Sequence, residues 1–230
     1  MGIQAAGSNV IPFPVRAPAP SEAEVGDLRF LALLGAEAWN ELPEAVRTRF
    51  AKRVAGGRLA VYAGEVIDCR MSRCGWLLAQ LARFIGGPLP ISRAIDVPAS
   101  VAVSEDPRGG GQFWTRVYGR RRGFPQVIHS AKRFAGPTGL EEHVGRGFGI
   151  ALTLAVENQA LHFLSDHYFF QAFGIRLRLP RWLEPGRLKV SHVDCNHGWF
   201  AFVLRLDHSL LGELVAQTAM FRELHPHDSE

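Results

Sequence analysis

The residues best equipped for chemistry lie in one short run, Ser191-His192-Val193-Asp194-Cys195-Asn196-His197. In an extended chain His192 and Asp194 share a face, because side chains alternate with a period of two. A carboxylate beside an imidazole orients the ring and can hydrogen-bond it, so His192 and Asp194 form the candidate catalytic acid–base pair. A second group is His162, Asp166 and His167. There the alternation places His162 with Asp166 and points His167 the opposite way, and His129 or His162 is the expected neighbour of the His192/Asp194 pair. Neither group has a metal-ligand spacing such as HExxH, and no metal is assigned. The plain alternative for all these imidazoles is local hydrogen bonding at the surface.

Other chemistries leave less trace. There is no GxSxG elbow to activate a serine. Gly56-Gly57, Gly86-Gly87 and Gly109-Gly110-Gly111 are turn glycines outside any phosphate-cradling pattern, and no cofactor is expected. Lys52, Lys132 and Lys189 are the only lysines, and nothing local singles one out for Schiff-base chemistry. Cys69, Cys74 and Cys195 are odd in number and form no CxxC pair, which suits a reducing cytoplasm.

The formal net charge is +4, and three lysines among 26 basic residues leave 23 arginines. This charge is too small and too dispersed to imply a specific nucleic-acid partner. Arg120-Arg121-Arg122, in a strand connection, and the basic face Arg47, Arg49, Lys52 and Arg53 could make weak contact with an anionic membrane surface. Such contact is worth about 1 kcal/mol per basic residue near the lipid. No apolar run of about 18 residues is present, so no spanning helix is expected. The N-terminus lacks the pattern of a secretory signal, and a cytoplasmic location is expected.

These side chains need a scaffold. Residues 1–22 form a Pro- and Ala-rich arm expected to be disordered, 23–224 a single β-rich domain, and 225–230 a frayed tail. Apolar spacing predicts helices over about 23–35, from Pro43 onward, and from the N-cap Ser72 to Ile85. Arg58–Asp68 alternates like a strand. From Val97 to Phe221 the pattern is period two, broken by short Gly, Pro and Asn turns, which predicts eight or nine strands in an antiparallel meander. So many strands require strong coiling or closure. The fold class is α+β, mainly β: a strongly curved sheet or barrel with N-terminal helices packed on it.

Two features bear on what that sheet holds. In Phe148–Glu157 one face is all small, Gly149, Ala151, Thr153 and Ala155, and a row of small side chains admits a close neighbour, either packed structure or a ligand. Trp182, between Pro180 and Pro185, is expected in a short connection that closes the core or the mouth of a cavity.

Several stretches also carry a likeness: Gly111-Gln-Phe-Trp-Thr-Arg-Val-Tyr-Gly119, Leu179-Pro-Arg-Trp-Leu-Glu-Pro185, and Gly198-Trp-Phe-Ala-Phe202 with Leu210-Leu-Gly-Glu-Leu214. From about Pro43 to Glu223 the chain resembles an uncharacterised bacterial family, domain of unknown function 4166. In that family the module can occur behind a reductase resembling saccharopine dehydrogenase. The resemblance therefore implies an accessory role with a small molecule or lipid, and a separate reductase as partner. This chain departs from the family pattern at Ala216–Phe221. The leading expectation is a module that encloses an apolar or amphipathic small molecule in a curved sheet. The alternatives are an enzyme using the His/Asp pair, or a docking module for a reductase or an anionic membrane.

Overall fold

The computed structural model describes residues 26–223, so the expected N-terminal arm and C-terminal tail lie outside the described residues. Three short helices come first: α1 (Arg29–Leu34), α2 (Ala36–Glu41) and α3 (Glu44–Phe50). Gly35, at φ 79°, ends the first of these where the apolar spacing ends it too, and a second short helix that the spacing does not predict follows. Then come β1 (Ala60–Met71) and α4 (Arg73–Ala82), which tightens into a 3₁₀ turn at Arg83–Ile85. Ser72 caps α4 as expected, its Oγ accepting from the Gly75 N–H at 3.0 Å.

The remainder is strand: β2 (Val97–Asp106), β3 (Gly111–Tyr118), β4 (Gln126–Arg133), β5 (Leu140–Gly145), β6 (Phe148–Glu157) and β7 (Ala160–Ala172), followed by β8 (Ile175–Arg178), β9 (Arg187–Asp194), β10 (Trp199–His208) and β11 (Gly212–Glu223). All pairings are antiparallel. Ten strands close in the order β1-β2-β3-β4-β5-β6-β7-β9-β10-β11 and back to β1, so the sheet is a barrel. β8 pairs with the part of β7 that β9 leaves free, at Phe169–Ala172. β1 falls on the stretch read as a strand at Arg58–Asp68, and from Val97 onward there are ten strands against the eight or nine expected, the unexpected one, β8, having only four residues.

Alternation along the strands separates two environments. Val101, Arg116 and Ile128 stand side by side on the inner face, as do Lys132, Glu142 and Ile150. The outer face carries residues such as Glu65, Lys189 and Arg205. A mainly apolar inside with charged groups outside is the reverse of a membrane-spanning barrel. No described helix is long and apolar enough to cross a membrane.

The two ends are closed differently. At one, α1–α3 form a plug. Phe30 meets Phe50, Phe134 and Phe163 edge-on, and Phe50 meets His192 at 5.1 Å between ring centroids. At the other, α4 and its 3₁₀ extension lie across the opening. A Cβ on Gly75 would stand 1.9 Å from the Leu214 carbonyl of β11, and one on Gly86 would stand 2.2 Å from the Val144 carbonyl of β5. β11 and β5 are five strands apart either way round the ring of ten, so the helix bridges opposite walls and acts as a lid.

This close approach makes a prediction. Gly75→Ala forces α4 outward from Leu214 and is expected to destabilise the protein by about 1–3 kcal/mol. Urea unfolding with tryptophan fluorescence measures it, and an unchanged midpoint would mean that the lid is not seated on β11.

Candidate functional site

Between plug and lid the barrel encloses a cavity of about 320 Å³. Leu78, Leu81 and Ile85 of the lid segment form one side of its mouth. Where β7 turns from β9 to β8, the connection 179–186 covers the gap, and Leu179, Leu183 and Pro185 line the other side. The wall is largely apolar and aromatic, with Phe148, Ile150, Phe202 and Leu204 among its members.

Against this apolar wall stands a compact group of charges. Glu142 of β5 accepts from Arg116 Nη2 of β3 at Oε1 and from Lys132 Nζ of β4 at Oε2, each at 2.8 Å. Arg116 Nη2 also donates to Ser130 Oγ at 3.1 Å. The Lys132 ammonium lies 4.8 Å from the Trp114 ring centroid and 5.2 Å from that of Phe163. Burial alone would raise the Glu142 carboxyl, but Lys132 and Arg116 outweigh it and hold the group well below the usual carboxylate range. Burial pulls the Lys132 ammonium down, and Glu142 only partly restores it against Arg116. Burial also raises the nearby Tyr118 phenol. These side chains are inward members of adjacent strands, so the pleat alone brings them together. None was picked out as a site residue from the sequence. The available signal was a charge at an inward position, as in Leu140-x-Glu142-x-Val144, where alternation calls for an apolar residue.

His192 and Asp194 do share the inner face of β9, but at the plug end. Arg49 of α3 donates to Asp194 Oδ1 at 3.2 Å and places its guanidinium 4.2 Å from the Phe200 ring centroid. His192 is 1% exposed, stacks on Phe200 at 4.7 Å and has no hydrogen-bond partner at Nδ1. Burial, with Arg49 adding, pushes its pKa down to about 3. The pair therefore holds a neutral imidazole and an arginine-bound carboxylate, and His192 adjoins a space of about 20 Å³ rather than the large cavity.

The other candidates are scattered. A β-bulge opposite Ala151 and Leu152 skips Asp166, which restores His167 to the same outer face as His162, contrary to simple alternation. His167 Nδ1 lies 2.6 Å from Asp166 Oδ2, and His162 Nδ1 lies 2.8 Å from Ser191 Oγ, across the wall from His192. His129 pairs with Thr115 on the outside of β4. Among the described residues no cluster of His, Cys, Asp or Glu has the arrangement of a metal site.

Gly149, Ala151, Thr153 and Ala155 lie on the outer face of β6. Their closeness serves packing at the bulge end, where a Cβ on Gly149 would stand 2.3 Å from the Phe169 ring. Only the Gly149 backbone also reaches the cavity. Trp182 is 79% exposed and does not close the core. In the tight turn Arg181–Leu183 successive side chains diverge, and Leu183 is the one that lines the cavity.

Fold and site together define a closed antiparallel barrel with one lidded apolar chamber. The family described as Domain of unknown function (DUF4166) matches residues 42–221, and the chain belongs to that family. The match takes in β1 to β10, all but the last two residues of β11, and the lid. No curated protein matches the chain.

The sealed histidine yields a pH prediction. Its folded pKa of about 3 lies below the ordinary 6.5. As pH falls below 6.5 the unfolded chain takes up a proton that folded His192 refuses, so stability is lost progressively down to about 3. Between pH 7 and 5 this contribution is about 1–2 kcal/mol. Urea unfolding at both pH values, for the native chain and His192→Phe, is expected to show the variant losing less by that amount. Equal losses would mean that folded His192 takes up its proton over the same pH range as the unfolded chain.

Proposed function

We propose that this protein is a binding module whose barrel encloses an apolar or amphipathic small molecule. The observation that carries the reading is the chamber itself. It holds about 320 Å³, lies between a fixed plug and a single-helix lid, and is walled mainly by apolar side chains. Ligand pockets begin at about 300 Å³ and combine such walls with a few convergent polar groups. Close packing is the rule for interiors, so space of this size inside a well-ordered barrel calls for an occupant. The neutral fluorophore N-phenyl-1-naphthylamine is expected to bind with a rise in emission. Leu204→Trp, which adds bulk to the wall, is expected to reduce that binding about tenfold or more while the fold persists by circular dichroism. Absence of probe binding by the native chain would remove the reading.

A second observation favours loading at a lipid surface. Connections at the mouth end carry exposed apolar tips: Phe84 (72%), Phe124 (90%), Phe173 (103%) and Leu210 (88%). Arg120-Arg121-Arg122 lies beside Phe124. Connections at the plug end, such as Asn158-Gln159 and Asn196-His197, are polar. Apolar tips with adjacent basic residues suit an anionic membrane. The protein is expected to co-sediment with vesicles containing phosphatidylglycerol, less with phosphatidylcholine alone, and less as salt rises. Phe84→Asp combined with Phe124→Asp is expected to abolish co-sedimentation. Failure to bind anionic vesicles would overturn membrane docking and leave the rim for a protein such as the reductase implied by the family resemblance.

A further inference from the structure

We propose that the enclosed molecule is a monoanionic amphiphile, a carboxylate on an apolar chain, with its head group held by Arg116 and Lys132 deep in the barrel and its chain running toward the lid. The inference rests on the reading of the barrel as a binding chamber and adds the chemistry of what binds and its direction.

The first support is charge balance. Two cationic side chains and one carboxylate face the cavity, and no other Asp or Glu among the described residues lines it. The group thus presents one positive charge beyond what Glu142 neutralises. An unbalanced charge away from bulk water is costly unless paired, so an anion in the chamber completes the set.

Unused donors are the second support. Glu142 spends one oxygen on each cation. Arg116 makes its hydrogen bonds to described residues through Nη2 alone, and Lys132 makes one, although guanidinium offers five N–H groups and ammonium three. A carboxylate accepts from such donors at a strength roughly twice that of neutral pairs. A carboxylate beside it would also push the Lys132 pKa back up against the pull of burial.

Direction follows from strand register. Lys132 stands opposite Gln112, near the β2–β3 turn where Arg29 of the plug donates to the Gly110 carbonyl. Its ammonium rests against Phe163, which touches Phe30 and Phe50 of the plug. Arg116 is two inward positions nearer the mouth than Gln112 on β3. Beyond both, the path to the lid is bounded by Phe148, Leu81, Ile85 and Leu183. The polar end therefore enters first.

The test is displacement of N-phenyl-1-naphthylamine by dodecanoate, dodecanol and dodecyltrimethylammonium, each below its micelle-forming concentration. Dodecanoate is expected to displace the probe at a concentration about tenfold or more below that of dodecanol, and the ammonium to be the weakest. Lys132→Met is expected to bring the acid and alcohol within about threefold, and Glu142→Gln, which removes the competing carboxylate, to widen their separation. The native head-group series decides the matter even where a variant does not fold. If the probe binds but dodecanol competes as well as dodecanoate, the anion inference is overturned while the binding module stands. If neither the probe nor any amphiphile binds, the reading beneath it fails as well.

Discussion

Closure of the sheet is the constraint on which the rest depends. β6 and β7 pair over ten positions, and β1 and β11 over nine, so no edge of the ring is left open. Barrel diameter grows with strand number, and about eight strands already give an interior that side chains just fill. Ten enclose more. The surplus has to be filled from the ends or left for something else, and this chain does both. The plug brings Phe30 and Phe50 into one end, while α4 only roofs the other.

The same closure gives buried charges two different fates. At the plug end Arg49, Asp194 and His192 are packed among Phe50, Phe200 and Phe202, where the guanidinium satisfies the carboxylate and the imidazole stays neutral. Their neighbourhood leaves about 20 Å³. One layer toward the mouth, Arg116, Lys132 and Glu142 have similar chemistry but open onto the chamber. A charge that is enclosed and paired acts as structure, whereas one with spare donors beside space can act on a guest. Which group is which depends on where the plug stops.

Much of the scaffold was legible in the sequence. The period-two stretches from Val97 onward, with their Gly and Asn turns, correspond to strands of a meander, and Ser72 does cap the third predicted helix. Closure was only one of two options there, because pairing between β1 and β11 leaves no local mark. Local alternation also could not register the bulge at Asp166, which reverses which histidine shares a face with which. The His192/Asp194 pair was legible as a pair and not as a sealed one, since the sealing comes from Arg49 and Phe50, well over a hundred residues earlier in the chain. Arg116, Lys132 and Glu142 were harder still. Each is an ordinary charged residue in its own strand, and only the register across β3, β4 and β5 joins them. Two of the family-like stretches gain a physical meaning here: Gly111–Gly119 supplies Trp114, Arg116 and Tyr118 to the chamber, and Leu179–Pro185 covers its side.

The central claim, that the barrel interior is a chamber for a guest, is tested most directly by native mass spectrometry of the chain purified without detergent. The account predicts a one-to-one adduct of a small molecule that survives gentle desolvation, disappears on denaturation and is recovered in an organic extract. A single species at the mass of the bare chain, unchanged after incubation with an excess of apolar and amphipathic compounds, would contradict it.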